Sequence, residues 1–139
     1  MRKTVRRLIT GVLATASATG MALALGATAA HAERNLTLVT KAGNGYGASG
    51  GGLFFNATGE IFTVYDQRSD GAGVNVEYHY QEPSGVWVYP ADLYNGDGAG
   101  TSKSFNKSIV DGSTVYITLC LIDNGDIKEA TCSSGTAIA

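Results

Sequence analysis

The sequence predicts an all-β domain, built as an antiparallel two-sheet β-sandwich of about eight short strands, with a small β-barrel as the alternative. After Ala32, no stretch of about eleven residues or more carries apolar positions at helical spacing, whereas alternation with a period of two recurs. Gly, Asn and Asp clusters bound the alternating segments, as is typical of turns between antiparallel strands.

The predicted strands follow one another closely along the chain. The strongest is residues 74–80, where Val and Tyr alternate with Asn, Glu and His, so one face is predicted to be core and the other solvent-exposed. In chain order the strands are Leu36–Thr40, Leu53–Asn56, Ile61–Tyr65, Val74–Tyr80, Val86–Tyr89, Ser104–Ile109, Thr114–Ile122 and Ile127–Ser133. Turn sequences separate most of them: Asn56–Gly59, Asp70–Gly73, Glu82–Gly85, Asp111–Gly112 and Asp123–Asp126.

The first 32 residues have the plan of a cleavable signal peptide. A basic start ends at Arg7, residues 8–26 are mostly apolar, and Ala30 and Ala32 are small enough for a signal peptidase. The small polar residues in the apolar stretch and the cleavable site disfavour a membrane-spanning helix. We therefore expect cleavage after Ala32 and secretion of residues 33–139 as a single domain, with no membrane association afterwards.

The last hairpin predicts a disulfide. Asn124–Gly125 favours a turn with positive φ, which places Cys120 and Cys132 on opposing strands. Two cysteines in an exported chain are expected to pair. Together with the one histidine after residue 32, His79, they are too few ligands for zinc, so no metal is predicted.

Two glycine-rich segments, residues 42–52 and 91–102, are predicted to be mobile loops of open function. The second contains Asp92, Asn95 and Asp97, whose oxygens suit calcium. Their spacing does not fit an EF-hand, so a non-standard calcium site is the alternative left open.

Charge and motifs exclude several function classes. Beyond residue 32 there are 6 basic and 12 acidic residues, a net charge of −6, which argues against nucleic-acid or anionic-membrane partners. Ser49, Asp66 and His79 occur in the order of a hydrolase triad, but the chain lacks the α/β scaffold that a nucleophile elbow needs. His79 is instead expected on the solvent face beside Glu77. We predict no catalytic residue, no enzyme activity and no cofactor.

Aromatic residues supply the candidate binding site. Trp87 and Tyr89 share one face of a strand and Val86 and Val88 the other. If the valines face the core, Trp87 and Tyr89 form, with Tyr94, a flat platform for a sugar ring or a protein partner. The other arrangement, which the pattern favours, turns Trp87 inward.

The order of segments resembles that of small exported actinobacterial β-proteins without an assigned function. The matching residues are Gly59–Asp66 leading to Asp70–Gly71, and Asp111–Val115 continuing through Cys120, Cys132 and Ser133. The resemblance implies a secreted β-domain and carries over no catalytic or binding residue.

These observations favour a secreted, non-enzymatic protein that recognises an extracellular protein or a cell-envelope component. Two alternatives remain: a carbohydrate-binding module that uses the surface aromatics, and a small inhibitor of an extracellular hydrolase with an exposed, disulfide-supported loop.

Overall fold

The computed structural model describes residues 32–139, so the predicted signal peptide, residues 1–32, lies outside the described residues apart from Ala32. The described part is all-β, as predicted, and contains nine strands. They are β1 (Leu36–Val39), β2 (Gly51–Asn56), β3 (Ile61–Asp66), β4 (Gly73–Gln81), β5 (Trp87–Val88), β6 (Leu93–Asn95), β7 (Thr101–Asn106), β8 (Thr114–Asp123) and β9 (Asp126–Ile138). A helix long and apolar enough to cross a membrane is absent from residues 32–139.

The strands form two antiparallel sheets that are not closed into a barrel, which confirms the sandwich over its alternative. One sheet has four strands in the order β1-β2-β3-β7; the other follows the path β5-β4-β8-β9, with β6 also paired to β4. Because β8 occupies one edge of β4 along its whole length, β5 and β6 share the other edge. β5 lies at the Gln81 end and β6 at the Val74 end.

The structure corrects the predicted loops at three places. Residues 91–102 contain β6 (Leu93–Asn95), which the sequence does not predict, and β7 begins at Thr101 rather than Ser104. Similarly, β2 begins at Gly51, inside the other predicted loop. In each case pairing with a neighbouring strand outweighs a local composition that carries little strand signal.

The first glycine-rich segment is fastened to the β8–β9 hairpin, whereas its composition predicts a mobile loop. Gly43 and Tyr46 exchange two backbone hydrogen bonds of 3.0 and 2.9 Å. The Tyr46 hydroxyl donates to Asp123 Oδ2 at 2.9 Å, and the Ala130 amide donates to Asn44 Oδ1 at 3.0 Å. The segment therefore bridges to residues far away in sequence.

The core lies between the sheets, and the inward face predicted for residues 74–80 is confirmed, while Asn75 on the predicted solvent face is buried as well. The inward residues of β4 and β8 are Val74, Val76, Tyr78, Tyr80, Val115, Ile117, Leu119 and Leu121. From the facing sheet, the ring of Phe62 packs between Phe55 and Tyr78, 4.6 Å from each by ring centroids. Each fully buried apolar side chain contributes about 1.5–3 kcal/mol of stability.

A buried asparagine fastens β6 to the other sheet. The Nδ2 atom of Asn95 donates to Val64 O at 3.1 Å and to Thr101 O at 3.3 Å. Its Oδ1 atom accepts from the Asp97 amide at 3.2 Å and from Thr101 Oγ1 at 3.3 Å. Because both ends of the amide are satisfied, Asn95 can be fully buried and hold a three-residue strand in place.

Candidate functional site

The solvent-facing side of the five-stranded sheet carries the candidate site. The outward residues of β4 are Asn75, Glu77, His79 and Gln81, which alternate with its core residues. The register of β4 with β8 sets Tyr116 directly opposite His79. Directly opposed residues on one face of a sheet are near neighbours, so these two rings meet.

Trp87 and Tyr89 point to the same face. Val88 packs against the core, whereas 43% of the Trp87 surface and 72% of the Tyr89 surface are exposed. The inward orientation of Trp87 that the sequence favours is therefore wrong. Trp87 pairs with Gln81, whose side chain faces outward, and the register of β5 with β4 decides the orientation.

Four rings assemble on this face: His79, Trp87, Tyr89 and Tyr116, hereafter the aromatic cluster. The centroid of the His79 ring lies 5.4 Å from Tyr89 and 5.2 Å from Tyr116, with interplanar angles of 25° and 11°. Nearly parallel rings at this separation overlap in an offset stack. Trp87 is tilted against the stack, 5.7 Å from His79 and 5.5 Å from Tyr116.

The aromatic cluster differs from the flat platform predicted by the sequence. His79 lies half-buried between two tyrosines, where a solvated histidine beside Glu77 is predicted. Since stacked rings cover one another, the accessible aromatic surface is that of Tyr89, at the sheet edge, and of the neighbouring Trp87. Their centroids are 6.3 Å apart.

Tyr94 does not belong to the aromatic cluster. It pairs with Asn75 near the start of β4, whereas Trp87 pairs with Gln81 at its end. Six residues of extended strand separate Asn75 from Gln81, about 20 Å at the usual rise per residue. The three residues predicted to act together therefore form two separate sites.

Sequence reasoning missed His79 and Tyr116 as members of the site. Alternation alone places Tyr116 outward on its strand, because Val115 and Ile117 face the core. Alternation does not predict the register between β4 and β8, and this register brings Tyr116 opposite His79. Register depends on tertiary pairing and on the turn between strands.

Hydrogen-bonding side chains surround the aromatic cluster. Gln81 lies opposite Thr114, and Glu77 lies opposite Thr118, all on the outward face of β4 and β8. Thr118 is hydrogen-bonded to Ser134 across 2.9 Å. The rings are thus flanked by neutral polar groups and by one carboxylate.

The proposed calcium ligands are each engaged elsewhere. Asp92 Oδ2 accepts from Asn75 Nδ2 at 2.9 Å, and Asp97 Oδ1 pairs with Lys103 Nζ at 2.9 Å. Asn95 is the fastening residue described above. Among residues 32–139, no group of three His, Cys, Asp or Glu side chains is placed to hold a metal ion.

Ser49, Asp66 and His79 are not assembled into a triad. Ser49 precedes β2, and Asp66 ends β3 on its core-facing side. His79 lies on the outward face of the other sheet. Packed sheets are about 10 Å apart, so the core separates the imidazole from the other two groups.

Asp66 differs from the exposed carboxylates because the fold buries it. It is only 3% exposed, and this burial raises its pKa above the ordinary 3.8. The nearby charge of Asp70 acts in the same direction, while a hydrogen bond from the Arg68 amide opposes both. No side-chain donor to Asp66 is found within residues 32–139.

A raised pKa has a definite consequence for stability. A carboxyl whose pKa is higher in the folded than in the unfolded state stabilises the fold below the unfolded value and loses that contribution as pH rises. Asp66→Asn, which keeps the acceptor for the Arg68 amide, should therefore raise the melting temperature by a few degrees at neutral pH. Below pH 3.8 the gain should vanish.

Thermal melts of wild type and variant across this pH range measure the difference directly. Asp97→Asn serves as the control, since Asp97 is an exposed carboxylate paired with Lys103. A gain for Asp66→Asn that does not change with pH would contradict the assigned cause.

The predicted disulfide between Cys120 and Cys132 is present and joins β8 to β9. It supports the inferred oxidising environment of the protein. The pairing lies beside an irregularity in the β8–β9 register between Leu119 and Leu121.

Comparison of the chain with protein-family models, with curated proteins and with solved structures finds no match. The resemblance to exported actinobacterial β-proteins therefore stays a prediction. The geometry of the aromatic cluster is the main basis for assigning a function.

Proposed function

We propose that the protein is a secreted, non-enzymatic binding protein that recognises a cell-envelope glycan through the aromatic cluster. The observation that carries this proposal is the exposure of Trp87 and Tyr89 beside two further rings, His79 and Tyr116. The export signal expected in residues 1–32 and the Cys120–Cys132 disulfide support a location outside the cytoplasm.

The aromatic cluster is preorganised for binding. Each exposed ring rests on a neighbour that limits its rotation, so little conformational entropy is lost when a ligand contacts it. Tryptophan and tyrosine in such positions supply large contact areas and dominate many binding energies. An edge-strand surface of this kind therefore suits a ligand that lies across ring faces.

The chemistry around the rings favours a sugar. A pyranose offers an apolar C–H face for a ring and hydroxyl groups at its perimeter. Gln81, Thr114 and Glu77 provide amide, hydroxyl and carboxylate partners for such hydroxyls. The net charge of −6 beyond residue 32 disfavours a phosphate-rich ligand.

Trp87→Ala should weaken binding to isolated cell-envelope polysaccharide by about thirtyfold, the effect of losing a hot-spot side chain. Retention on the insoluble polysaccharide measures it, with circular dichroism to verify folding. Tyr65→Ala is the matched control, because Tyr65 is an exposed aromatic on the other sheet and should leave retention unchanged.

Intrinsic fluorescence gives a second readout, since Trp87 is the one tryptophan of the chain. Soluble fragments of the bound polysaccharide should shift its emission. Digesting the envelope with glycan hydrolases should abolish retention, whereas protease treatment should not. Equal retention of Trp87→Ala and wild type, or retention lost only after protease, would overturn the proposal.

A further inference from the structure

A concave site lies at the other end of the five-stranded sheet from the aromatic cluster. It is a cavity of about 210 Å³ between the β3–β4 connection and the β6–β7 connection. Its lining includes Asp66, Arg68, Ser69, Gly73, Tyr94 and Gly96; we refer to it as the Tyr94 pocket. This volume is below the roughly 300–1,000 Å³ of pockets for drug-sized ligands, which suits a single small ring.

Two glycines position the aromatic wall of the pocket. A Cβ atom on Gly73 would lie 2.6 Å from Tyr94 Cε2, and one on Gly96 would overlap the Tyr94 hydroxyl. The ring therefore lies against backbone at both places, where no other residue leaves room for it. Half of the Tyr94 surface nevertheless remains exposed at the rim.

The buried side of the pocket holds Asp66. Asp66 as a whole residue is almost completely removed from solvent, and the Lys103–Asp97 pair is the one ion pair found within residues 32–139. Asp66 accepts a hydrogen bond from the Arg68 amide and has no cationic partner among these residues. Because a carboxylate offers about four acceptor sites, a ligand hydroxyl can donate to those that remain.

The lining decides what kind of ligand fits. Asp66 accepts hydrogen bonds, Arg68 donates them, and Ser69 does both. The buried carboxylate of Asp66 disfavours an anion, and the positive charge of the lining residue Arg68 disfavours a cation. A ring for Tyr94, with hydroxyl groups that both donate and accept, satisfies all of these groups.

We propose that the Tyr94 pocket binds a single neutral pyranose, with sugar hydroxyls hydrogen-bonded to Asp66 and the ring against Tyr94. This site is separate from the aromatic cluster and does not rest on the function proposed there. Tyr94, which the sequence groups with Trp87 and Tyr89, thus belongs to a separate sugar site that has polar lining residues of its own.

Chemical-shift mapping with free neutral monosaccharides, added singly to millimolar concentration, tests the site. We expect the amide signals of Asp66, Gly73 and Gly96 to move while the Trp87 indole signal stays fixed. Asp66→Asn and Tyr94→Ala should each weaken binding about tenfold or more. Asp126→Asn and Tyr65→Ala, the exposed carboxylate and aromatic controls away from the pocket, should bind like wild type.

Gly96→Ala provides an independent variant that keeps every lining side chain but displaces the Tyr94 ring. It should also lose sugar binding. Unmoved pocket signals with every sugar, equal affinity of Asp66→Asn and wild type, or movement only with methylammonium or inorganic phosphate would each overturn the proposal. Trp87→Ala should retain pocket binding, so failure of one site is distinguishable from failure of the other.

Discussion

Replacing Asn95 by alanine is expected to destabilise the protein by about 3 kcal/mol, because buried backbone acceptors lose their partner. The substitution removes both donors to Val64 O and Thr101 O, which hold β6 against β3 and β7. For a domain of this size, the loss should lower the melting temperature by roughly 10–20 °C. Thermal and urea denaturation followed by circular dichroism measure it.

Asp97→Ala separates this structural role from a calcium site. Asp97 is an exposed member of an ion pair with Lys103, so its loss should cost less than about 1 kcal/mol. Addition of calcium or of a chelator should leave the melting temperatures of wild type and of Asp97→Ala unchanged. A chelator that lowers the wild-type melting temperature as much as Asn95→Ala does would show that the residue acts through a metal.

Asn95 also shows where prediction from sequence ends. The long alternating segment 74–80 specifies its own faces, because only one set of its side chains is aliphatic or tyrosine while the other is Asn, Glu and His. In residues 114–121 the inward set is entirely aliphatic, whereas the outward set mixes Thr, Tyr and Cys. β6 has a single apolar side chain facing the core, Leu93, and its existence depends on pairing with β4 and on the bonds of Asn95. Such interactions join residues far apart in the chain, so the local sequence pattern does not predict them.

The two candidate sites depend on tertiary structure to different degrees. Trp87 and Tyr89 could be selected as binding residues from their alternation on one strand. The neighbours of these rings, His79 and Tyr116, follow from strand register, as does the separation of Tyr94 from them. The Tyr94 pocket in turn requires the ends of β3 and β4 to meet the β6–β7 connection, which sequence spacing does not encode.

The disulfide lies in a region whose contacts, like those of Asn95, join residues far apart in the sequence. Leu119 pairs with Ser133 and Leu121 with Lys128, so Cys120 alone lies opposite residues 129–132. Within this bulge, Thr131 is fully buried and its hydroxyl accepts from the Leu121 amide at 2.9 Å.

The bulge in turn docks on the preceding part of the chain. The Lys41 amide donates to Thr131 O at 2.8 Å, and the Ala130 amide donates to Asn44. The bulge that contains Cys132 therefore contacts the segment that follows β1.

Removing the disulfide by the double substitution Cys120→Ala and Cys132→Ala should cost about 3 kcal/mol, the value for constraining a short loop in the unfolded chain. We expect a melting temperature lower by roughly 10–20 °C. Wild type in reductant should show the same shift, and the double variant should be insensitive to reductant. An unchanged wild-type melt in reductant would mean that the bond contributes little.

Hydrogen exchange shows where the stability is lost. If the bond acts only through the unfolded chain, all slow amides should accelerate by a similar factor, because each then exchanges through global unfolding. If the bond also holds the bulge closed, the amides of Lys41, Leu121 and Ala130 should accelerate more than those of the β2–β3 pairing. The contacts of the bulge with Lys41 and Asn44 favour the second outcome, since the disulfide is the covalent cross-link that holds the bulge against β8.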